Sequence, residues 1–358
     1  MSNPMLRFSS NALHAFTQAV FASHGLSEAH AHHVADNLVD ANLRGLDTHG
    51  VARIPSYVKR IELNLVNVHP NITVHSTWPW SAAIDADNAM GAVAGALAMQ
   101  EALQRANNFG IGAVTVKHSN HFGAAGYFAR MAAEADCIGT SLAPASKSLA
   151  PFGSKEPLLG TNPIAVGAPA GRNAPWVMDM ATSVAARGHI RLAAQQDQPI
   201  PAGWALDSEG EPTTDAHAAM SGVMVPFSGP KGSAIAMLVD ILGGVLSGSA
   251  FAGAIRDMNT DFSAPQNVGH FFMAMKVDAF MPLEQFQARM DEQIQRLHAL
   301  APAKGVEQVM YPGEPEARTQ EERRRLGVPL NTKVLQSLIE VGQATGVAMP
   351  QPINDAMQ

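Results

Sequence analysis

The stretch Ile111-Gly-Ala-Val-Thr-Val-Lys117-His118-Ser119-Asn120-His121-Phe122-Gly123-Ala124-Ala125-Gly126-Tyr-Phe-Ala-Arg-Met-Ala-Ala-Glu134 changes period halfway along. Residues 111–116 are β-branched and apolar, as in a short buried strand, and 127–134 read as a helix. Two imidazoles and a run of small residues therefore fall where a strand hands over to a helix. There, free backbone N–H groups and the positive helix end can meet an anion. His121 is the candidate acid/base, because imidazole exchanges protons near neutral pH. Ser119 and Asn120 can orient a carbonyl or phosphate, and Gly123, Ala124 and Ala125 let backbone approach a ligand. A helix N-terminus capped by Ser and Asn fits the same residues, so locally both readings stand.

Outward from this stretch, further strands are expected at 82–85, 138–142, 164–168, 176–179 and 271–277, with helices at 88–108, 126–135, 184–196 and 232–248. Alternation of this kind indicates an α/β layered domain. Both flanks read as helical, at 11–24, from Ser27 to before Gly45, and at 55–65, and again at 283–299, 314–325 and 331–344. Ser27 is placed to cap the second helix. The expected architecture is a central α/β domain over 76–284 and a discontinuous helical module from 1–75 and 285–358. The Gly-x-Gly-x-x-Gly fingerprint is absent, so any dinucleotide is held on a non-Rossmann scaffold.

Of 358 residues, 46% are hydrophobic and 15% charged, enough for a sizeable core and unlike a disordered chain. A formal net charge of -7 argues against a nucleic-acid partner. The single cysteine, Cys137, excludes an internal disulfide framework and fits a reducing cytoplasm. No secretory leader is expected at the N-terminus. Residues 232–251 approach the length of a membrane span, but Asp240 sits mid-segment, where a carboxylate would cost about 2.5 kcal/mol or more. A buried helix of a soluble core is expected instead, with Gly244 and Gly248 marking close packing.

Four other segments carry candidate chemistry. In Arg44-Gly-Leu-Asp-Thr48-His49-Gly-Val-Ala-Arg53-Ile-Pro-Ser-Tyr57, Arg53 can hold a carboxylate and Thr48 can bond a substrate or an imidazole. In 151–165, Thr161 and Asn162 are polar where a strand begins. In Val177-Met-Asp179-Met180-Ala181-Thr182-Ser183-Val-Ala-Ala-Arg187-Gly188-His189, Asp179 can accept ribose hydroxyls or help cap the following helix, which Thr182 or Ser183 can also cap; Arg187 can face an anion. In 227–233, Lys231 opens a Gly-flanked helix suited to phosphate, although the P-loop spacing is missing. Surface turns and solvated side chains are the competing reading of each. Metal ligation is not expected: His30, His32 and His33 do not converge along one helix, and His-Glu-x-x-His is absent.

Six strings in order, Arg-Gly-Leu-Asp-Thr-His-Gly (44–50), Ser-Asn-His-Phe-Gly (119–123), Gly-Thr-Asn-Pro-Ile-Ala (160–165), Asp-Met-Ala-Thr-Ser (179–183), Asp-Ser-Glu-Gly-Glu-Pro-Thr-Thr-Asp (207–215) and Tyr-Pro-Gly-Glu (311–314), resemble the type-2 malate/L-lactate dehydrogenase family. Its relatives include ureidoglycolate and sulfolactate dehydrogenases and Δ1-piperideine-2-carboxylate reductases. The resemblance implies an oxidoreductase, a homodimer, that uses NAD or NADP on a non-Rossmann α/β fold. It implies a small 2-hydroxy or 2-oxo acid as substrate, malate or lactate first. By that resemblance His121 is the proton acceptor, and in the imine-reducing relatives the donor falls at His49 beside Thr48. Arg53, Thr161, Arg187 and Gly188 match substrate contacts. Residues His121, Phe122, Gly123, Ala124 and Ala125, then Asp179, Met180 and Ala181, then Lys231, then Pro312, Gly313 and Glu314 match cofactor contacts. Position 189 is His where the imine reductases carry Asp, while Ser233 is of the imine-reductase type. Ureidoglycolate dehydrogenase and cyclic imino-acid reductase (Δ1-pyrroline- or Δ1-piperideine-2-carboxylate) activities are the alternatives.

Overall fold

The computed structural model describes residues 5–353. Strand β1 (Leu6–Phe8) is followed by helices α1 (Ser10–Ser23), α2 (Glu28–Leu43) and α3 (Ile54–Glu62), the last two joined by 3-10 turns at Asp47–His49 and Val51–Arg53. Ser27 caps α2 through its hydroxyl, which accepts the His30 N–H. The middle of the chain runs β2 (Thr73–His75), β3 (Ser81–Asp85), α4 (Gly91–Phe109), β4 (Ile111–Ser119), α5 (Ala125–Glu134), β5 (Cys137–Leu142), β6 (Ile164–Ala168) and β7 (Trp176–Met180). It continues through α6 (Arg187–Gln195), β8 (Ala205–Leu206), β9 (Pro212–Thr213), α7 (Ala216–Ser221), β10 (Val223–Met224), α8 (Pro230–Asp240), a π turn at Ile241–Val245, and β11 (Val268–Lys276). Then come α9 (Leu283–His298), α10 (Glu314–Leu326), β12 (Val328–Leu330) and α11 (Thr332–Thr345).

Seven strands form one mixed sheet in the order β2-β3-β4-β11-β5-β6-β7. Only β3 and β4 run parallel, with α4 as their crossover; the other neighbours are antiparallel. The late strand β11 inserts between β4 and β5, so the sheet centre is closed by a segment far downstream of both. Alanines of α4 and the rings of Phe128 and Phe272 fill the layer against the sheet, both rings fully buried. Each such ring contributes roughly 1.5–3 kcal/mol of burial. Helix α5 lies close on β5 and β6 because Gly167 has no side chain: a Cβ there would stand 2.4 Å from the Ala129 carbonyl oxygen. A second cluster joins α1, α2 and α3 to β12 and α11 through Leu13, Phe21, Leu38, Ile54, Val328 and Leu338, and β1 pairs with β12.

Two expectations are corrected. The helix expected at 184–196 starts at Arg187, and neither Thr182 nor Ser183 caps it. Residues 182–184 are instead extended against 225–227: Val184 N–H donates to Val225 and Phe227 N–H to Thr182. Nor is 232–251 a buried core helix. Met237, Leu238, Ile241, Val245 and Leu246 are each about half exposed, from 45% to 59%. Of the two glycines, Gly244 abuts Phe251, whereas Gly248 has open space beside it. No helix among the described residues is long and apolar enough to cross a membrane.

Candidate active site

The end of β4 and the turn after α2 meet at two imidazoles. His49 and His121 stack with ring centroids 5.8 Å apart and planes at 26°. On one side, Thr48 Oγ1 lies 3.0 Å from His49 Nδ1. On the other, the Tyr57 hydroxyl lies 2.7 Å from His121 Nδ1, which also accepts the Gly123 N–H at 3.3 Å. The His49 turn is fixed by Asn42 at the end of α2. Its amide donates to Asp47 Oδ1 and its carbonyl oxygen accepts the Val51 N–H, each at 2.7 Å.

Arg53 follows one turn later. Its Nε donates to the Thr48 carbonyl at 2.6 Å, and no carboxylate pairs with it among the described residues. Burial pushes His49 down to about 4, with the Arg53 charge second. Burial, then Arg53, then His49 and His270 hold His121 well below the usual imidazole range. Both rings are therefore neutral at physiological pH, beside an uncompensated cation.

Under this pair lies a support that the sequence did not disclose. His270 of β11 is fully buried, bonds Ser119 Oγ at 2.9 Å, and stacks on Phe122 at 4.7 Å with planes at 2°. Burial pushes His270 down to about 3. Gln266 accepts the His121 N–H at 3.1 Å. Tyr57 closes the 44–57 segment in sequence, but only the fold brings its hydroxyl to His121. His118 instead bonds Asp85 at 2.9 Å and borders a separate cavity of about 200 Å³ with Asp87, Asn88, Pro265 and Asn267.

Gly123 cannot be anything else: its φ is +83°, and a Cβ would stand 1.8 Å from Asn37 Oδ1. Asn37 is buried and its amide finds no partner among the described residues. Asp179, at the end of edge strand β7, caps α5 rather than α6, accepting the Gly126 N–H at 2.8 Å. Protein packed around its carboxyl pushes it up to about 6. Four residues on, the buried Ser183 hydroxyl also lacks a partner among the described residues. Pro312 accepts the Val177 N–H at 2.9 Å, which brings the 312–314 turn onto β7. The Glu314 carboxylate is committed to His298, Arg318 and the Tyr311 N–H, so that turn offers a ligand its backbone. A helix N-terminus, a side-chain-free turn, a polarised carboxyl and two orphaned polar groups suit a nicotinamide dinucleotide.

The remaining expected residues lie on adjoining segments. The Thr161 carbonyl accepts both the N–H and the hydroxyl of Thr182, fixing the start of β6 beside the end of β7. Lys231 is exposed in the first turn of α8. Arg187 and Gly188 are exposed in the first turn of α6, with no hydrogen bond to His49 or His121.

Comparison with known proteins agrees over almost the whole chain. A family model described as malate/L-lactate dehydrogenase matches residues 8–339. A malate dehydrogenase from Pyrococcus abyssi is 39% identical over 350 residues, 96% of each chain. The structure of a malate dehydrogenase from Pyrococcus horikoshii superposes with a TM-score of 0.88 at 36% identity, covering 97% of both chains. That of a sulfolactate dehydrogenase from Methanocaldococcus jannaschii gives 0.91 at 33% identity, covering 98% of this chain and 100% of the other.

Proposed function

The chain belongs to the malate/L-lactate dehydrogenase family, and on that footing we propose that it interconverts a small 2-hydroxy acid and its 2-oxo acid, of malate or lactate type, with NAD or NADP. The observation that carries this reading is the stack of two neutral imidazoles, His49 and His121, beside the unpaired guanidinium of Arg53. A 2-hydroxy acid presents the matching groups: a carboxylate for the cation and, one carbon away, a hydroxyl whose proton must leave as hydride departs.

A nicotinamide held by these residues would supply the hydride acceptor for the carbinol carbon and, in the reverse direction, the hydride for the carbonyl carbon. Arg53 holds the substrate carboxylate through its free N–H groups and fixes the carbon's orientation. That carboxylate also offsets the Arg53 charge, which after burial is the second cause of the lowered imidazole affinities, so substrate binding relieves part of that depression. To accept the hydroxyl proton at Nε2, His121 takes the tautomer whose Nδ1–H donates to the Tyr57 oxygen and gives up the bond from the Gly123 N–H. When His121 is neutral with its proton on Nε2, Nδ1 accepts from Tyr57 and Gly123 instead. His49 with Thr48 is the other acid/base pair. Thr161, Arg187 and Gly188 are assigned to the substrate. The backbone at Phe122, Gly123, Ala124 and Ala125, the Asp179-Met180-Ala181 edge, Lys231 and the Pro312-Gly313-Glu314 turn are assigned to the cofactor.

Cyclic imine reduction is less favoured because His189 is exposed, with its ring beside Trp204 and no bond to the Thr48–His49 pair. Comparing rates on oxaloacetate and pyruvate with those on Δ1-pyrroline-2-carboxylate, using both reduced cofactors, tests the assignment. Faster turnover of the cyclic imine would reverse it. The exposed apolar face of α8 and the π turn supports a homodimer, and the single buried Cys137 fits the cytoplasm.

A further inference from the structure

Helices α1 and α2 pack antiparallel, and on their outer face two four-residue steps lie side by side. His14 and Gln18 come from α1, His32 and Asp36 from α2. One Asp36 carboxylate oxygen lies 2.8 Å from His14 Nε2 and the other 3.2 Å from His32 Nε2. The two rings meet edge-on with centroids 5.0 Å apart. Gln18 Oε1 lies 3.5 Å from His32 Nδ1, on the ring side away from the carboxylate. None of these residues belongs to the site described above.

We propose that His14, His32 and Asp36 form a binding site for a divalent transition-metal ion of the zinc class. Their three ligating atoms all lie within 4.8 Å of one another. A tetrahedral zinc with bonds of about 2.0–2.2 Å spaces its donors roughly 3.4 Å apart, so side-chain adjustments of about an ångström complete the set. Two imidazoles and one carboxylate suit zinc, cobalt or nickel better than magnesium or calcium, which take oxygen donors. Gln18 supplies the outer-sphere acceptor: with its proton held on Nδ1, His32 turns its Nε2 lone pair toward the ion. His32 is exposed and His14 partly so, which leaves the fourth position to water. Bound metal ties α1 to α2, and hence to the helix that ends at the His49 turn, by a link that hydrophobic packing alone does not supply.

Titration of tag-free protein with zinc chloride by calorimetry tests this. One ion should bind per chain, and cobalt(II) should give the visible ligand-field bands of a tetrahedral site. Asp36→Asn or His32→Ala should weaken binding by about tenfold or more, at least what outer-sphere partners contribute. His30→Ala and His33→Ala should leave it unchanged. Circular dichroism of each variant checks that α1 and α2 remain folded. Absence of binding, or binding that survives the His14→Ala/His32→Ala double variant, would overturn the proposal. The outcome does not depend on whether the chain is a dehydrogenase.

Discussion

His121 Nδ1 sits between a fixed donor, the Gly123 N–H, and a hydroxyl that can donate or accept, that of Tyr57. Tyr57→Phe removes the acceptor that supports the Nδ1–H form, the form with a free Nε2 lone pair. We expect kcat for alcohol oxidation to fall about tenfold or more with KM little changed, and steady-state kinetics reads the split. Arg53→Ala should instead raise KM for the hydroxy acid strongly and leave the cofactor KM near its original value. The pH profile follows from the sign of the shifts. Both imidazoles have folded-state affinities below the ordinary 6.5, so they stay deprotonated until the pH falls well under that value. The acid limb of kcat/KM, which reports the free enzyme, should therefore lie clearly below pH 6.5. A limb at or above that pH would contradict the burial of the pair.

At the scale of elements, the catalytic turn depends on the end of α2. Asn42 is buried and satisfies both Asp47 and the Val51 N–H. Asn42→Ala leaves the buried Val51 N–H unpaired, while Asp47 keeps Arg323, and should cost about 1–3 kcal/mol, measurable by urea unfolding, with a loss of kcat as the His49 turn loosens. The strand-to-helix junction at 111–134 was legible because the period changes there and the turn demands small residues. The true start of α6 was not: 182–184 are held extended by 225–227, and pairing across some forty residues leaves no local trace. Insertion of β11 beside β4, and with it His270 beneath Phe122, was hidden for the same reason. His14 likewise reaches His32 only through helix packing, so a search along one helix could not find their pairing.

Over the whole molecule, acid should weaken the fold in a defined window. His270 is fully buried and His49 partly so, and their affinities of about 3 and about 4, against 6.5 when unfolded, keep both neutral. A depressed folded-state value contributes stability that is complete above pH 6.5 and is lost as the pH falls through the window toward 3. Thermal melts at stepped pH should show Tm dropping across that range. The apolar face of α8 and the π turn is about half exposed, and we propose that a second copy of the chain covers it. Replacing Ile241 and Leu246 by Glu should shift the sedimentation coefficient from dimer to monomer; an unchanged monomer in both proteins would contradict this. The most direct measurement of the central claim is reduced-nicotinamide absorbance, followed with malate, lactate and their 2-oxo acids, for the wild type beside His121→Ala and His49→Ala. Turnover by the wild type is predicted, with a loss of about 10²-fold or more in His121→Ala. Equal loss confined to His49→Ala would transfer the acid/base role to that residue, and no turnover of any 2-hydroxy or 2-oxo acid with either cofactor would contradict the account.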